Sequence, residues 1–294
     1  MVDSYGDAAL AWIQKLPELT KIIAEKWHLT NVIPMKNLSY NYVFKAYQTT
    51  TAQPVVVKIS YKFKTLEQEI KALQAFDGHG FCKLFDIDTT HHALLIECLE
   101  PGTELTSLFP DNDDRATIIA IELMKKIHTV QVPTHHTIKS IEEWLELLFT
   151  LKTTAIPAHH LEKAQKLSRK LLAAPSKQVI LHGDLHHANI LLGKDGWTAI
   201  DPHGVIGEAA WECEPLIKNP TEKLWKMENP IPIVKRRLAL ASEQLNIDHQ
   251  KLLEHCYVRT VLSSCWTVEN KPNGHYDTNW LMIEANAFEA MLKK

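Results

Sequence analysis

The segment from Val179 to Gly204 constrains the fold more than any other part of this sequence. It reads VILHGDLHHANILLGKDGWTAIDPHG and contains four histidines, three aspartates and one asparagine. Two apolar runs, ANILLG and WTAID, flank a turn at residues 194–196, and this pattern predicts a β-hairpin. Because the two strands of a hairpin run side by side, its closure brings Asn189 and Asp201 to the same end.

The residue types in this segment suit phosphoryl transfer. The oxygens of Asn189 and Asp201 are hard ligands of the kind that Mg²⁺ prefers, with phosphate oxygens filling its remaining positions. Asp184 precedes the hairpin, where it can accept the proton of an attacking hydroxyl. An Asp, four intervening residues and an Asn, followed by a later Asp, is also the order in the catalytic loop of protein kinases.

Two other interpretations of the same segment stay open at this point. Its histidines can form a zinc site through His182, His186, His187 and His203, although the spacing lacks an HExxH pattern and no cysteine lies near. The segment can also be an ordinary structural turn without chemistry. Phosphoryl transfer is favoured because other parts of the chain agree with it.

Composition excludes several classes of protein. The 294 residues are 45% hydrophobic, enough for one large or two small domains, and the net charge of −3 provides no basic field for nucleic acid. The start lacks a basic segment before a long apolar run, and no stretch is apolar enough to span a membrane. The cysteines are odd in number and form no CxxC pair, which indicates reduced thiols in a cytoplasmic protein: Cys82, Cys98, Cys213, Cys256 and Cys265.

Strand patterns concentrate in the first hundred residues and helical patterns in the rest. Residues 5–27 have helical spacing, LSYNYVFKAYQTTTAQPVVVKIS predicts a hairpin that ends in a buried strand, and TLEQEIKALQAFDG predicts a helix. From residue 113 onward most segments are helical. This order predicts an α+β protein with a small β-rich lobe, residues 1–97, and a larger helical lobe, residues 98–294.

Three further signals in the first lobe fit a nucleotide site. Lys58 follows three valines on a strand, where its charge can contact the α- and β-phosphates. Glu69 lies one residue before the core-facing Ile70 on the next helix and can hold that lysine, whereas Glu67 fits a solvated face. The backbone of Glu97 and Leu99, at the junction of the lobes, can bind an adenine edge. Each signal is weak alone, but they occur in the order that a kinase requires.

The sequence resembles the aminoglycoside phosphotransferases, and more narrowly the aminoglycoside/hydroxyurea resistance kinases of the streptomycin 6-phosphotransferase group. LHGDLHHANILL, AIDPHGVIGE and IKNP resemble the loops of that group, ALLIECLEPGTEL its hinge and LMKKIH its first large-lobe helix. The C-terminal RRLALASEQLNIDHQKLLEHCYVRTVLSSCW is similar to its last helices. The resemblance covers roughly residues 30–270 and implies a two-lobed protein-kinase-like fold.

The resemblance also implies a role for each matching residue. Asp184 corresponds to the catalytic base, Asn189 and Asp201 to the magnesium ligands, and Lys58 with Glu69 to the pair that binds the ATP phosphates. His182 fits a buried, hydrogen-bonded brace of the loop, and His186 or His187 a contact to phosphate. The turn that covers the nucleotide, LSYNYVFKAY, departs from the kinase pattern because it contains no glycine, and His203 stands where the group has a basic residue.

The acceptor site is less constrained by the sequence. A cationic aminoglycoside requires acids and aromatic rings. The candidate acids are Glu208, Glu212 and Glu214 after the second loop, and Glu269, Asp277 and Glu284 near the C terminus. The candidate aromatic residues are Trp211, Trp266 and Trp280. Each also fits an ordinary role, since tryptophans at helical spacing are mostly core residues and acids on terminal helices are mostly solvated.

These observations predict an ATP- and Mg²⁺-dependent small-molecule O-phosphotransferase with a cationic, hydroxylated acceptor of the streptomycin type. The alternatives are a kinase for another hydroxylated metabolite, such as a sugar or amino alcohol, and a nucleotide-binding pseudokinase. The glycine-free turn favours the pseudokinase, whereas the intact set of Asp184, Asn189 and Asp201 argues against it. The sequence does not determine the oligomeric state.

Overall fold

The computed structural model of this chain describes residues 10–35, 41–174, 177–270, 274 and 276–293. Strands dominate the first part and helices the rest. The strands of the first part, with the two helices that accompany them, are α1 Leu10–Lys26, β1 Leu29–Pro34, β2 Asn41–Gln48, β3 Gln53–Ser60, α2 Phe63–Phe76, β4 Leu84–Asp88 and β5 Ala93–Glu97. The predicted α+β organisation is confirmed, and we propose the lobe boundary after residue 97.

The elements of the second part are mostly helices, with two small three-stranded sheets among them. In chain order they are β6 Thr103–Glu104, α3 Asp113–Ile127, β7 Lys139–Ser140, α4 Ile141–Leu145, α5 Leu147–Thr150, α6 Ala158–Leu172, β8 Gln178–Leu181, β9 Ile190–Gly193, β10 Gly196–Ala199, β11 Val205–Glu208, α7 Cys213–Lys218, α8 Thr221–Leu224, α9 Ile231–Leu245, α10 His249–Asn270 and α11 Thr278–Leu292. The two sheets have the strand orders β10-β9-β6 and β7-β11-β8. Helices α4 and α5 are separated only by Glu146, whose backbone stays helical with φ −55° and ψ −31°.

The first lobe is built on a five-stranded antiparallel sheet in the order β1-β2-β3-β5-β4. Its middle strand, β3, carries β-branched residues, which favour the pleated backbone. Val55, Val57 and Ile59 point to one face and form a core with Ile23 of α1. Because side chains alternate along a strand, Lys58 points to the opposite face, toward α2.

Helix α2 packs on that second face of the sheet. Leu66, Ile70 and Leu73 form its buried stripe at helical spacing and join the large core shared with the second lobe. Glu69 lies beside this stripe and is buried, whereas Glu67 pairs on the surface with Lys71 at 2.7 Å. The expected difference between the two glutamates is therefore confirmed.

The hairpin of β9 and β10 connects the two lobes. Its strands pair as the sequence predicts, with Gly193 opposite Gly196 and Ile190 opposite Ala199. Ala199 also exchanges backbone hydrogen bonds with the first lobe, donating to the Gly80 carbonyl at 2.8 Å and accepting from the Cys82 N–H at 3.0 Å. These hydrogen bonds bring the residues after β10 close to β3, where Asp201 contacts Lys58.

Strand β1 was not predicted. Its sequence, LTNVIP, pairs with β2 through an irregularity between Thr30 and Ile33 and has no clean alternation. The expected leading helix begins at Leu10 in the described residues, and residues 5–9 lie outside them. The glycine-free turn also lies partly outside: residues 39 and 40 are not among the described residues, and Asn41 and Tyr42 begin β2.

All five cysteines are free and buried. Burial raises the pKa of each thiol above its usual range. No helix among the described residues has the length and apolar character needed to cross a membrane.

Candidate active site

Three charged side chains meet where the hairpin lies below the sheet. The Lys58 ammonium lies 2.6 Å from Glu69 Oε1 and also contacts Asp201 Oδ1. Lys58 and Glu69 are buried, while 48% of the Asp201 side chain remains exposed. The lysine therefore joins β3, α2 and the end of the hairpin, and one carboxylate of the group opens to solvent.

The charges of this cluster shift one another's pKa values. Burial alone lowers the pKa of Lys58, but the charges of Asp201 and Glu69 outweigh it and raise that pKa above its usual range. Burial raises the pKa of Glu69 to about 7 against the opposing charge of Lys58. Lys58 overcomes the effect of burial at Asp201 and holds that pKa below its usual value. Asp201 thus keeps its negative charge at neutral pH.

The backbone at Asp201 is strained. Its φ of 56° lies in the left-handed region, which non-glycine residues rarely adopt. Just before it, the Ile200 N–H donates to the Asn189 carbonyl at 3.0 Å, which closes the base of the hairpin. Asn189 and Asp201 therefore lie at the same end, as predicted, and strain of this kind is common at functional sites.

The 182–189 loop presents Asp184 beside Asn189. The Asn189 side-chain N–H donates to the Asp184 carbonyl at 3.0 Å, so its amide oxygen is left as an acceptor. Asp184 Oδ2 lies 3.6 Å from Nε2 of His186, and 37% of the Asp184 side chain is exposed. Burial lowers the pKa of His186, and the nearby carboxylates of Asp184 and Asp201 oppose that effect.

His182 is a structural brace, as predicted. It is buried, its Nε2 lies 2.8 Å from the Ile200 carbonyl, and its Nδ1 accepts a hydrogen bond from the Asp184 N–H at 3.2 Å. Because one nitrogen must donate and the other accept, these contacts fix one neutral tautomer. His182 therefore links the 182–189 loop to the end of β10.

Hydrogen bonds fix both the N–H and the carbonyl of Gly183, the residue before Asp184. The Glu212 carboxylate accepts hydrogen bonds from the N–H groups of His182 at 2.6 Å and Gly183 at 3.0 Å. The Arg259 guanidinium donates to the Gly183 carbonyl at 2.7 Å. Gly183 has φ +84°, and a Cβ there would lie 2.6 Å from the Trp144 ring, so only glycine fits.

This contact corrects the prediction that Glu212 binds the acceptor. Glu212 is fully buried beneath the loop, and its carboxylate oxygens face backbone N–H groups. Burial alone raises its pKa, but His128 and the Gly183 N–H outweigh that effect and lower it. The sequence places Glu212 soon after Asp201, but a short 3₁₀ turn over residues 209–212 directs the carboxylate into the core.

The loop histidines do not form the alternative zinc site among the described residues. His182 uses both ring nitrogens inside the protein, and no three of these histidines gather their ligand atoms within 4.8 Å. His187 is buried, and burial lowers its pKa to about 3, so it is neutral at physiological pH. His186, in contrast, lines the cleft beside Asp184, and the predicted phosphate contact of one of the two histidines stays a prediction.

A cleft of about 310 Å³ opens beside Asp184 in the second lobe. The 182–189 loop forms one wall, and helices α7 and α10 form the others. The side chains that line it are Asp184, His186, His203, Glu214, Lys218, Asn219, Thr221, Arg259, Ser263 and Trp266. Trp266 was predicted as an acceptor contact, and the structure brings it into the same cleft as Asp184.

A second lysine, Lys218, lies largely enclosed in this cleft. The Lys218 ammonium contacts Glu214 Oε1 at 2.9 Å, Glu284 Oε2 at 3.1 Å and the Ser263 hydroxyl at 3.1 Å. The two carboxylates outweigh burial and raise the pKa of Lys218, while burial raises the pKa of Glu284. The acids Glu214 and Glu284 are therefore neutralised in part by a cation of the protein itself.

The other predicted acceptor residues lie outside the cleft. Glu208 contacts Lys251 and lies 3.6 Å from His255, beneath a separate depression on the far side of β11. Glu269 is exposed on α10 and is not among the residues that line the cleft. Sequence spacing alone did not reveal which face of α10 each residue occupies.

Two other tryptophans among the candidates also lie elsewhere. Trp211 is buried and packs against the His255 ring, with the ring centroids 4.5 Å apart. Trp280 is partly exposed near Lys226, and Asp277 caps α11 by accepting from the Asn279 and Trp280 N–H groups. These side chains have ordinary structural roles.

The junction of the lobes offers backbone groups at the other end of the site. The Glu97 N–H is used by the Lys83 carbonyl at 2.9 Å, so Glu97 can offer only its carbonyl to a ligand. Leu99 follows β5 outside any strand, and none of the described residues bonds to its N–H. A carbonyl at Glu97 and an N–H at Leu99 match the donor and acceptor of an adenine edge.

A comparison with known protein families identifies the family of this chain. The family of aminoglycoside/hydroxyurea antibiotic resistance kinases matches residues 26–271. This chain belongs to that family. The predicted resemblance is confirmed, and the chain is a phosphotransferase of the kinase type.

Curated relatives of this kinase act on small molecules. A streptomycin 3''-kinase of Klebsiella pneumoniae is 29% identical over 73% of this chain and 80% of its own length. A streptomycin 6-kinase of Streptomyces glaucescens is 24% identical over 91% of this chain and 88% of its own length. A hydroxyurea phosphotransferase of Kitasatospora aureofaciens is 24% identical over 90% of this chain and 77% of its own.

Solved structures confirm the kinase-like fold. The choline kinase of Streptococcus pneumoniae superposes with a TM-score of 0.68 at 18% identity, covering 94% of this kinase and 99% of that chain. An aminoglycoside phosphotransferase bound to ADP and hygromycin B superposes with a TM-score of 0.64 at 10% identity, covering 93% and 97%.

Sequence reasoning missed several residues that line the cleft of this kinase or pack behind it. Lys218 follows Glu214 by four residues on a helix, a spacing that signals an ion pair. Arg259 and Trp144 gave no such signal, because their partners are distant in sequence. Arg237 was also missed: it pairs with Asp113 and donates to the carbonyls that end α7.

Proposed function

We propose that this kinase is an ATP- and Mg²⁺-dependent O-phosphotransferase whose acceptor is a hydroxylated, streptomycin-type aminoglycoside. The observation that carries the proposal is the convergence of Lys58, Asp201, Asn189 and Asp184 between the two lobes. A cation, two hard oxygen ligands and a carboxylate near a cleft are the groups that phosphoryl transfer requires.

The first lobe would bind the nucleotide. Lys58 is fixed by Glu69 and contacts the α- and β-phosphates, and the Glu97 carbonyl with the Leu99 N–H binds the adenine edge. Asp201 and the amide oxygen of Asn189 fit Mg²⁺ because both are hard oxygen donors facing the same end of the hairpin. When bound, the metal neutralises charge on the transferred phosphoryl group.

The second lobe would bind the acceptor. Asp184 accepts the proton of the attacking hydroxyl as that oxygen bonds to the γ-phosphorus and the bond to the β-γ bridging oxygen breaks. His186, neutral because burial lowers its pKa, directs its Nε2 toward Asp184 and lies beside the transferred phosphate. The protein's contribution is mainly to align these groups.

The proposal has two versions, which differ in the streptomycin hydroxyl that receives the phosphate. The relatives include kinases for the 3'' and the 6 position of streptomycin. Trp266 borders the cleft and can stack on a sugar or cyclitol ring, whichever hydroxyl faces Asp184. The product's phosphorylated position would separate the two.

One observation favours a second candidate function, a kinase for a less highly charged hydroxylated metabolite. Lys218 already neutralises part of the charge of Glu214 and Glu284, and Arg259 adds another cation to the same cleft. A polycationic acceptor would meet fewer free carboxylates than the sequence predicts. A sugar or amino alcohol would not require them.

The test is an ADP-release assay with Mg²⁺-ATP over a panel of streptomycin, other aminoglycosides, hydroxyurea, sugars and amino alcohols. Mass spectrometry and phosphorus NMR would identify the product and its position. We expect one added phosphate on streptomycin. Transfer only to a sugar or amino alcohol would support the second candidate, and ATP binding without transfer to any acceptor would support the pseudokinase.

A matched variant tests the role of Asp184. Asp184→Asn keeps the shape of the side chain but removes the proton acceptor, and general-base loss should reduce kcat by at least about a hundredfold. Nucleotide binding, measured by calorimetry, should be unchanged. Substantial transfer by this variant would remove Asp184 from the mechanism.

A further inference from the structure

Arg259 on α10 is a buried cation without a carboxylate partner. Only 3% of the residue is exposed, and no described residue forms an ion pair with it. Its Nη2 donates to the Gly183 carbonyl, but Nε and Nη1 are buried with no hydrogen-bond partner. Burying an unpaired charge is costly, so this arginine needs an explanation.

Two tryptophans compensate for part of that cost. The guanidinium carbon lies 5.0 Å from the ring centroid of Trp144 and 5.0 Å from that of Trp266. Both distances are within the range of a cation–π interaction, which stabilises the charge but supplies no hydrogen bond to Nε and Nη1. Trp144, Arg259 and Trp266 therefore form a block in which the two rings also meet edge to face, with their centroids 5.1 Å apart, and Arg259 and Trp266 border the cleft.

The block contacts the backbone at Gly183, next to Asp184. The Trp144 ring occupies the space where a Cβ of residue 183 would lie, and Arg259 fixes the Gly183 carbonyl. From the other side, Glu212 fixes the Gly183 N–H. The backbone on both sides of Gly183 therefore has little freedom to rotate, and the direction of the Asp184 side chain depends on it.

We infer that Arg259 is a positioning residue for Asp184, held in place by Trp144 and Trp266. An apolar side chain would fill the same space without the cost of a buried charge, so the charge at this position points to a function rather than to stability. The inference rests on the proposed function, since it gives Asp184 the role of proton acceptor. Misplacing such a group by about 1 Å can cost a hundredfold in rate.

The experiment compares Arg259→Met with Arg236→Met. Arg236 is an exposed arginine on α9 that pairs with Asp113 and Asp114, so this control removes an arginine charge outside the cleft. We expect Arg259→Met to lower kcat by about 10- to 100-fold with KM for ATP changed less than about twofold. Arg236→Met should keep the wild-type kcat. Unfolding by urea would show that both variants are folded.

Chemical rescue separates positioning from simple loss of packing. Arg259→Ala leaves space for free guanidinium, and millimolar guanidinium chloride should restore part of kcat in this variant but not in Asp184→Asn. Sodium chloride at the same ionic strength should have no such effect. A wild-type kcat in Arg259→Met, a loss confined to KM for ATP, or no rescue in Arg259→Ala would overturn the inference.

The activity of the wild-type protein distinguishes a failure of the proposed function from a failure of the positioning role alone. If the wild type transfers phosphate to no acceptor in the panel, the proposed function fails. If the wild type is active and Arg259→Met is equally active, only the positioning role fails.

Discussion

Two largely enclosed lysines, one in each lobe, each contact two carboxylates. Lys58 contacts Glu69 and Asp201 between the lobes, and Lys218 contacts Glu214 and Glu284 in the second lobe. In each group the carboxylates raise the lysine pKa, and burial raises the pKa of one acid. The two clusters are similar in charge, with one excess carboxylate each.

They differ in where the excess negative charge lies. At Lys58 it lies on Asp201, whose side chain is about half exposed. At Lys218 both acids are largely enclosed, and the Thr260 and Thr221 hydroxyls donate to them at 3.0 Å and 3.2 Å. An open carboxylate is available to a metal, whereas an enclosed pair mainly joins α7 to α11. We therefore expect the first cluster to control rate and the second to control stability.

The largest effect should come from Lys58→Met. The variant removes the cation that we propose contacts the phosphates, and loss of one such group typically costs about 10²- to 10³-fold in rate. The measurement is kcat/KM for ATP by ADP release. Unchanged kinetics would contradict the proposed role of Lys58 and remove the functional difference between the two lysines.

Lys218→Met should instead destabilise the protein. It leaves Glu214 and Glu284 buried without their cation, and breaking a buried ion pair from one side costs about 3 kcal/mol in the free energy of unfolding. Unfolding in urea measures this loss in the free energy of unfolding. The control, Lys251→Met, removes a partly exposed lysine that pairs with Glu208 and should cost less than about 1 kcal/mol. Equal costs in the two variants would contradict the comparison.

The raised pKa of Glu69 predicts a pH dependence of stability. The folded-state value of about 7 lies above the ordinary 4.5, so the folded protein binds more protons between these values. The free energy of unfolding of the wild type, relative to Glu69→Gln, should therefore fall as the pH rises from 4.5 to 7. A difference that does not change with pH would show that Glu69 is fully ionised in the folded state.

The smallest effect should come from Ser263→Ala. The Ser263 hydroxyl accepts one hydrogen bond from Lys218, and losing it should cost about 1 kcal/mol in the free energy of unfolding. Glu214 and Glu284 still hold the lysine in this variant. A loss as large as that of Lys218→Met would mean that the hydroxyl, rather than the carboxylates, determines the stability of the cluster.

The two clusters also show how much of the site the sequence predicts. Lys58 and Glu69 were predictable because strand alternation and the apolar stripe of α2 determine which way each side chain points. The hairpin likewise determines that Asn189 and Asp201 share one end. Strand alternation, helical spacing and hairpin closure each act over a few residues, and the side chains keep these directions in the folded protein.

The second cluster depends on contacts that no local rule reveals. Glu284 reaches Lys218 from the last helix, and Arg259 reaches Gly183 from the helix before it. Glu212 was assigned to the acceptor because it follows Asp201 closely, but a short turn buries it beneath Gly183. Which acids face the cleft depends on helix packing, which the pattern of one sequence does not determine.

The five enclosed thiols have a practical consequence for studying lobe motion. Cys82 and Cys98 lie beside the junction of the lobes, while Cys213, Cys256 and Cys265 lie among the helices of the second lobe. A thiol reagent can modify each only when its surroundings open, because the buried thiol with a raised pKa does not react. Labelling rates followed residue by residue would therefore time the opening of the junction separately from that of the helical core, without any engineered probe.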